Sequence, residues 1–164
     1  MNLLFYISAF VAILATVLVI TRTNAVHALL YLIVSLLAVA LIFFALGAPF
    51  VAALEVIIYA GAIMVLFVFV IMMLNLGGEA TRQESSLLTP GIWTGPSILC
   101  VILAGELVYL FIGKQFSVPD TGTASTKQVG IALFGPYAVG VELASMLLLA
   151  GLVGAHHLGR QEKK

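Results

Sequence analysis

The chain has 164 residues, of which 63% are hydrophobic and 9% are charged. A soluble domain carries about a quarter charged residues, so this chain has too few charges to cover a water-exposed surface. Its net charge is zero, which gives no pull toward nucleic acid or an acidic substrate.

A bilayer-spanning helix needs about 20 mainly apolar residues, and five stretches meet that requirement. The first runs from about Leu3 to Ile20, residues 3–20, and Thr21-Arg22-Thr23-Asn24 breaks it. It has no basic segment before it, so it reads as a retained helix rather than a cleaved signal. The second covers about 28–46 and ends at Gly47-Ala48-Pro49. The third, the longest, covers about 50–76; Gly77-Gly78 stops it, and a polar loop follows from Glu79 to Pro90. The fourth covers about 92–112 and holds the single cysteine, Cys100. One cysteine excludes an internal disulfide, a CxxC redox pair and a four-thiolate metal site. A second polar loop is expected from Gly113 to about Gly130. The fifth span covers about 134–155, with Pro136 in its first turn, where proline is tolerated.

These runs are too long and too continuous for barrel strands, which alternate with period two. Helices also satisfy their own backbone in lipid. The expected fold is therefore all-α, a single membrane domain over 1–164 with five transmembrane helices. Five spans put the termini on opposite sides. Arg22, Arg82, Arg160, Lys163 and Lys164 fall on one side, Lys114 and Lys127 on the other. The excess of Lys/Arg faces the cytoplasm, which predicts N-terminus out and C-terminus in.

Three glutamates lie inside apolar runs: Glu55, Glu106 and Glu142. A charge inside a membrane is expensive, and no lysine or arginine lies deep enough to pair with these. Each must be protonated, face a hydrated cavity or meet a partner on another chain. The functional reading is a proton relay. Its rival is a carboxyl near a helix end that reaches the interface. The balance favours function for Glu55 and Glu142 and the interface for Glu106.

In the third span Glu55 and Tyr59 stand at i, i+4, so carboxyl and phenol share a face. Gly61 lies in mid-helix, where glycine costs about 1 kcal/mol relative to alanine. Ala60-Gly61-Ala62 can let a neighbouring helix approach closely. Alternatively, Gly61 can mark a place where the helix bulges, as π-bulges do at functional sites. The residues alone favour close packing. In the fifth span Gly140 with Ala144, Ala150 with Gly154 and Gly151 with Ala155 form small-residue packing faces. His27, His156 and His157 sit at helix ends beside polar loops and read as interfacial rather than as haem ligands.

The stretch EVIIYAGAIMVLFVFVIMMLNLGG, from Glu55 to Gly78, resembles the signature of the subunit J family of bacterial proton-translocating NADH:quinone oxidoreductase, whose mitochondrial counterpart is chain 6. The stretches from Asn24 to Glu55 and from Gly130 to Arg160 resemble the same family, so the likeness covers nearly the whole chain. It implies a place in the membrane arm of respiratory complex I, in the bacterial inner membrane, packed with subunits A, H, K and N. It also implies a third helix with a π-bulge that converts to regular α-helix and so makes or breaks a water chain. Carried onto this sequence, that switch falls at about Tyr59 to Val65, including Gly61, Ala62, Ile63 and Met64. Glu55 matches a membrane glutamate of the family, Glu142 sits in a matching segment, and Glu106 matches no feature.

The resemblance implies a non-redox subunit with no cofactor or metal of its own. NAD, FMN, iron–sulfur clusters and quinone belong to other subunits, and this chain meets quinone only indirectly. Two other classes compete: a subunit of a cation/proton antiporter related to the complex I membrane arm, and a purely structural membrane scaffold. Flavin and iron–sulfur genes encoded alongside distinguish the first from the antiporter. The scaffold predicts that Glu55→Gln and Glu142→Gln leave turnover intact.

Overall fold

The computed structural model describes residues 2–74, 90–112 and 125–159, and all of the regular structure among them is helical. Five helices are long and apolar enough to cross a membrane: Leu3–Thr21, Ala25–Ala45, Pro49–Met73, Trp93–Leu110 and Ala138–Gly159. They are the five spans that hydropathy predicts. Asn75, the polar segment through residue 89 and the segment 113–124 lie outside the described residues. The chain falls into two compact units, Met1–Thr123 and Ala124–Lys164.

In the first unit, α1 spans Asn2–Thr21 and α2 spans Ala25–Ala45. Asn24 starts α2 by accepting hydrogen bonds from the backbone N–H groups of Val26 and His27, at 3.0 and 3.3 Å. A cap of this kind satisfies donors that a helix start leaves orphaned. The end of α2 is equally well defined. Ala48 N–H donates to Phe43 O and Gly47 N–H to Phe44 O, both at 3.0 Å. Gly47 has φ 80°, the left-handed conformation that this C-terminal motif requires.

Pro49 then opens the third span, where its missing N–H costs nothing. The span comprises α3 (Pro49–Leu54), a π-helical segment (Glu55–Ile63) and α4 (Met64–Leu74). Leu54 and Met64, which flank the π segment, keep ordinary right-handed helical angles, so the three parts form one uninterrupted rod. The fourth span, α5, covers Pro90–Ile112 and begins two residues before the expected position.

The core of this unit is made by α1, α2 and α5. It contains Val11, Ala12 and Ala15; Tyr31, Val34 and Ala38; and Leu99 and Leu103. Val11 and Ala12 each stand three or four residues before Ala15, and the core residues of α2 and α5 recur at the same spacings, which places each set on one face. The alanines let the backbones approach closely, the usual basis of helix association in lipid. Around this core the outer surface is apolar: Leu3, Phe10, Ile20, Val101 and Ile112 are all more than 60% exposed. A helix that is apolar all round belongs in lipid or inside an assembly.

In the second unit the structure corrects the reading of the fifth span. Residues Thr126–Phe134 form α6, where a loop was expected up to Gly130, and Ala138–Gly159 form α7. Ser125 and Gln128 close a reciprocal capping box at the start of α6, at 3.0 and 3.3 Å. Pro136 lies in the turn between α6 and α7, not in the first turn of a helix. The physical cause is local. Pro136 has no N–H with which to continue α6. At Gly135 an added Cβ would stand 2.7 Å from Ile131 O, so the turn accepts no side chain there. Tyr137 N–H closes the turn on Ala132 O at 3.1 Å.

Candidate functional site

The third span carries the sequence-predicted site, and its central feature is the π segment itself. Its nine residues, EVIIYAGAI, exceed the single-turn bulge that is the usual form of π-helix. The sequence suits a departure from α geometry. Val56, Ile57, Ile58 and Ile63 are β-branched and lose side-chain freedom in a regular helix, and Gly61 is a weak helix former. A Cβ added at Gly61 would lie 3.1 Å from Val56 O, five residues earlier. The carbonyl therefore occupies close to the space a side chain at 61 would need.

The π segment spans Glu55 to Ile63, whereas the resemblance implies about Tyr59 to Val65. Glu55, Tyr59, Gly61, Ala62 and Ile63 belong to it, and Met64 and Val65 already lie in α4. The N-terminal shift has a simple basis, since the β-branched run begins at Val56, before Tyr59. No residue of the π segment is buried within this chain. Met64, the next residue, is 1% exposed, whereas Val65 is 51% exposed.

Glu55 is half-buried and Tyr59 exposed, and no hydrogen bond joins their side chains. Glu142 lies on α7 in the second unit, with an exposed side chain and a backbone carbonyl that accepts from Ser145 Oγ at 2.7 Å. On the same helix, a Cβ added at Gly140, Gly151 or Gly154 would meet nothing within 4 Å. These small-residue faces are open within the second unit.

Glu106 departs from the interfacial reading. It is a buried carboxyl, 9% exposed, and its Oε2 accepts a hydrogen bond from Ser8 Oγ of α1 at 2.7 Å. Oε1 is also buried and has no hydrogen-bond partner among the described residues. Further along the same bundle, Thr16 and Ser35 hydroxyls lie 2.9 Å apart, and Thr16 donates to Ala12 O at 2.8 Å. At the start of α2, the Arg22 guanidinium stands over the Tyr31 ring, 5.6 Å from its centroid. The His27 ring lies 5.2 Å from that of Tyr31. Polar groups thus recur along the α1–α2–α5 contact. A sequence signal exists: Ser8 and Thr16 interrupt the apolar interior of α1 at a spacing of eight residues, which returns to one helix face.

α2, α3, α5 and the start of the π segment line an open apolar groove of about 500 Å³, bordered in part by Leu37, Leu41, Ala52, Val56, Leu103 and Leu107. Among the described residues, no group of three or more His, Cys, Asp or Glu side chains is placed to hold a metal ion.

The model of the NADH-ubiquinone/plastoquinone oxidoreductase chain 6 family matches residues 15–158. NADH-quinone oxidoreductase subunit J of Escherichia coli K12 is 60% identical over 163 residues, covering 99% of this chain and 89% of the relative. The subunit J of Pseudomonas aeruginosa is 60% identical over 166 residues, covering 100% of this chain and 99% of the relative. That of Buchnera aphidicola from Schizaphis graminum is 51% identical over 168 residues, covering 99% and 100%.

Proposed function

Because the chain belongs to the NADH-ubiquinone/plastoquinone oxidoreductase chain 6 family, we propose that its third span helps couple quinone reduction to proton translocation. The chain is a multi-pass protein of the bacterial inner membrane and a membrane subunit of an NADH–quinone oxidoreductase. In this reading it carries no redox centre, and NAD, FMN, iron–sulfur clusters and quinone are bound by other subunits. Subunits A, H, K and N are its neighbours. The N-terminus is outside and the C-terminus in the cytoplasm, following the distribution of Lys and Arg.

One observation carries the coupling role: a nine-residue π segment inside an unbroken membrane span. Such a segment has a regular α-helix as its natural alternative, and packed elements switch between discrete arrangements rather than deforming continuously. Glu55 and Tyr59 lie within the segment, so a change of helix register moves a carboxyl and a phenol together. Glu142, with open packing faces on its own helix, is a further station for a proton in the assembled complex. The apolar faces of α4 and α7 are contact surfaces for lipid and neighbouring subunits.

The test is Gly61→Leu in the assembled complex. A bulky side chain at 61 conflicts with Val56 O in the π form, so quinone-linked turnover should fall severalfold while assembly stays at the wild-type level. Normal turnover in a fully assembled variant would remove the support for switching.

A further inference from the structure

We propose that Ser8 and Glu106 form a proton-binding site at the α1–α5 contact, independent of the third span. Glu106 is the one ionisable side chain that is buried among the described residues of this bundle apart from the phenol of Tyr31. Its Oε2 meets the Ser8 hydroxyl at 2.7 Å, and its Oε1, equally enclosed, meets no partner among the described residues.

Among the described residues, no cation stands ready to compensate this carboxyl. On α1, Arg22 lies fourteen residues from Ser8, about 21 Å along the helix, and is turned over the Tyr31 ring. Tyr6 of the same helix is 67% exposed. On α2, His27 and Tyr31 belong to that same distant end of the bundle. On α5, Cys100 and Tyr109 are exposed, and in the π segment Glu55 and Tyr59 make no hydrogen bond to Glu106. A buried charge with neither a counter-ion nor a full set of hydrogen bonds is costly, and gaining or losing a proton is how such a group adjusts.

Ser8 suits both forms. The ionised carboxylate only accepts, and the Ser8 hydroxyl donates to Oε2. When one proton adds to the carboxylate, the new O–H donates to Ser8 Oγ, and the charge goes from −1 to zero. The serine proton then turns to a main-chain carbonyl of the preceding turn. Two other hydroxyls of α1 already make that bond: Thr16 to Ala12 O at 2.8 Å and Thr21 to Val17 O at 3.0 Å. The Ser8–Glu106 contact thereby persists with its direction reversed, and α1 remains fastened to α5 in both states.

The experiment is pH-dependent infrared spectroscopy of membranes containing the assembled complex, as wild type, Glu106→Gln and Ser8→Ala. The expected result is one titrating carboxylic-acid band that is present in the wild type, lost in Glu106→Gln and shifted in Ser8→Ala. Identical wild-type and Glu106→Gln spectra at every pH would overturn the proposal. Where Glu106→Gln does not assemble, Ser8→Ala decides, because a band unmoved by loss of the hydroxyl overturns it as well. Turnover is not the readout, so the outcome is separate from that of Gly61→Leu.

Discussion

The Tyr31 hydroxyl of α2 occupies the space that any side chain at Gly95 of α5 would need: a Cβ built there overlaps Tyr31 Oη. Tyr31 is 2% exposed, so its ring has little freedom to withdraw. Gly95→Ala is expected to destabilise the α2–α5 contact by about 1–3 kcal/mol, the usual cost of overpacking a core. Thermal unfolding of the detergent-purified complex would register this. In a Tyr31→Phe background the same substitution should cost less, because the overlapping oxygen is gone. Equal costs in both backgrounds would place the conflict elsewhere.

Gly47 holds the corner between the second and third spans at φ 80°. Gly47→Ala is expected to cost about 1 kcal/mol, and Gly47→Asn less, because asparagine tolerates the left-handed region better. The ordering of the two variants by assembly level is the informative result. A larger loss for asparagine than for alanine would contradict a conformational cause.

The turn at Gly135 offers a test of opposite sign. In a continuous helix, Gly→Ala stabilises by about 1 kcal/mol. Here an added Cβ meets the Ile131 carbonyl at 2.7 Å, so Gly135→Ala should destabilise instead. Loss of amide protection across residues 132–141 in hydrogen exchange is the expected signature, and a gain in protection would favour an unbroken helix.

Gly61→Ala should fall between wild type and Gly61→Leu, since its Cβ sits 3.1 Å from Val56 O and asks that carbonyl to move only a few tenths of an ångström. Glu55→Gln removes the one carboxyl of the π segment and keeps its shape. It is expected to lower proton pumping or quinone-linked turnover with assembly intact. Unchanged values of both would return Glu55 to a group that simply reaches the interface.

Hydropathy made all five spans legible, because length and apolar continuity are what a bilayer demands. Turn chemistry made the corner at Gly47-Ala48-Pro49 legible too. The capping box at Ser125-Thr126-Lys127-Gln128 is also written in the sequence, but its polar composition reads as loop until the reciprocal bonds are seen. Pro136 reads as the first turn of a helix and lies instead between two helices, because proline suits both places. At Gly61 residue type favours close packing, and the wide turn around it depends on the backbone path, which periodicity does not encode. Glu106 was the hardest to read. Its partner Ser8 lies 98 residues away, and pairing at that distance follows from how α1 meets α5.

The continuity of the third span has one further consequence. Its first residue, Pro49, is held at the corner by the bonds that end α2. With one end fixed, a change of winding in the middle of a rod must appear as rotation at the other end. Taking one residue out of the wide turns would swing everything beyond it by about 100°, one residue's step of an α-helix. Met64, the most enclosed side chain of the span, would leave its seat, and a different side chain would be brought round toward it. In the proposed switch the span would act as a screw with one end clamped, its far half turning while Pro49 keeps its place.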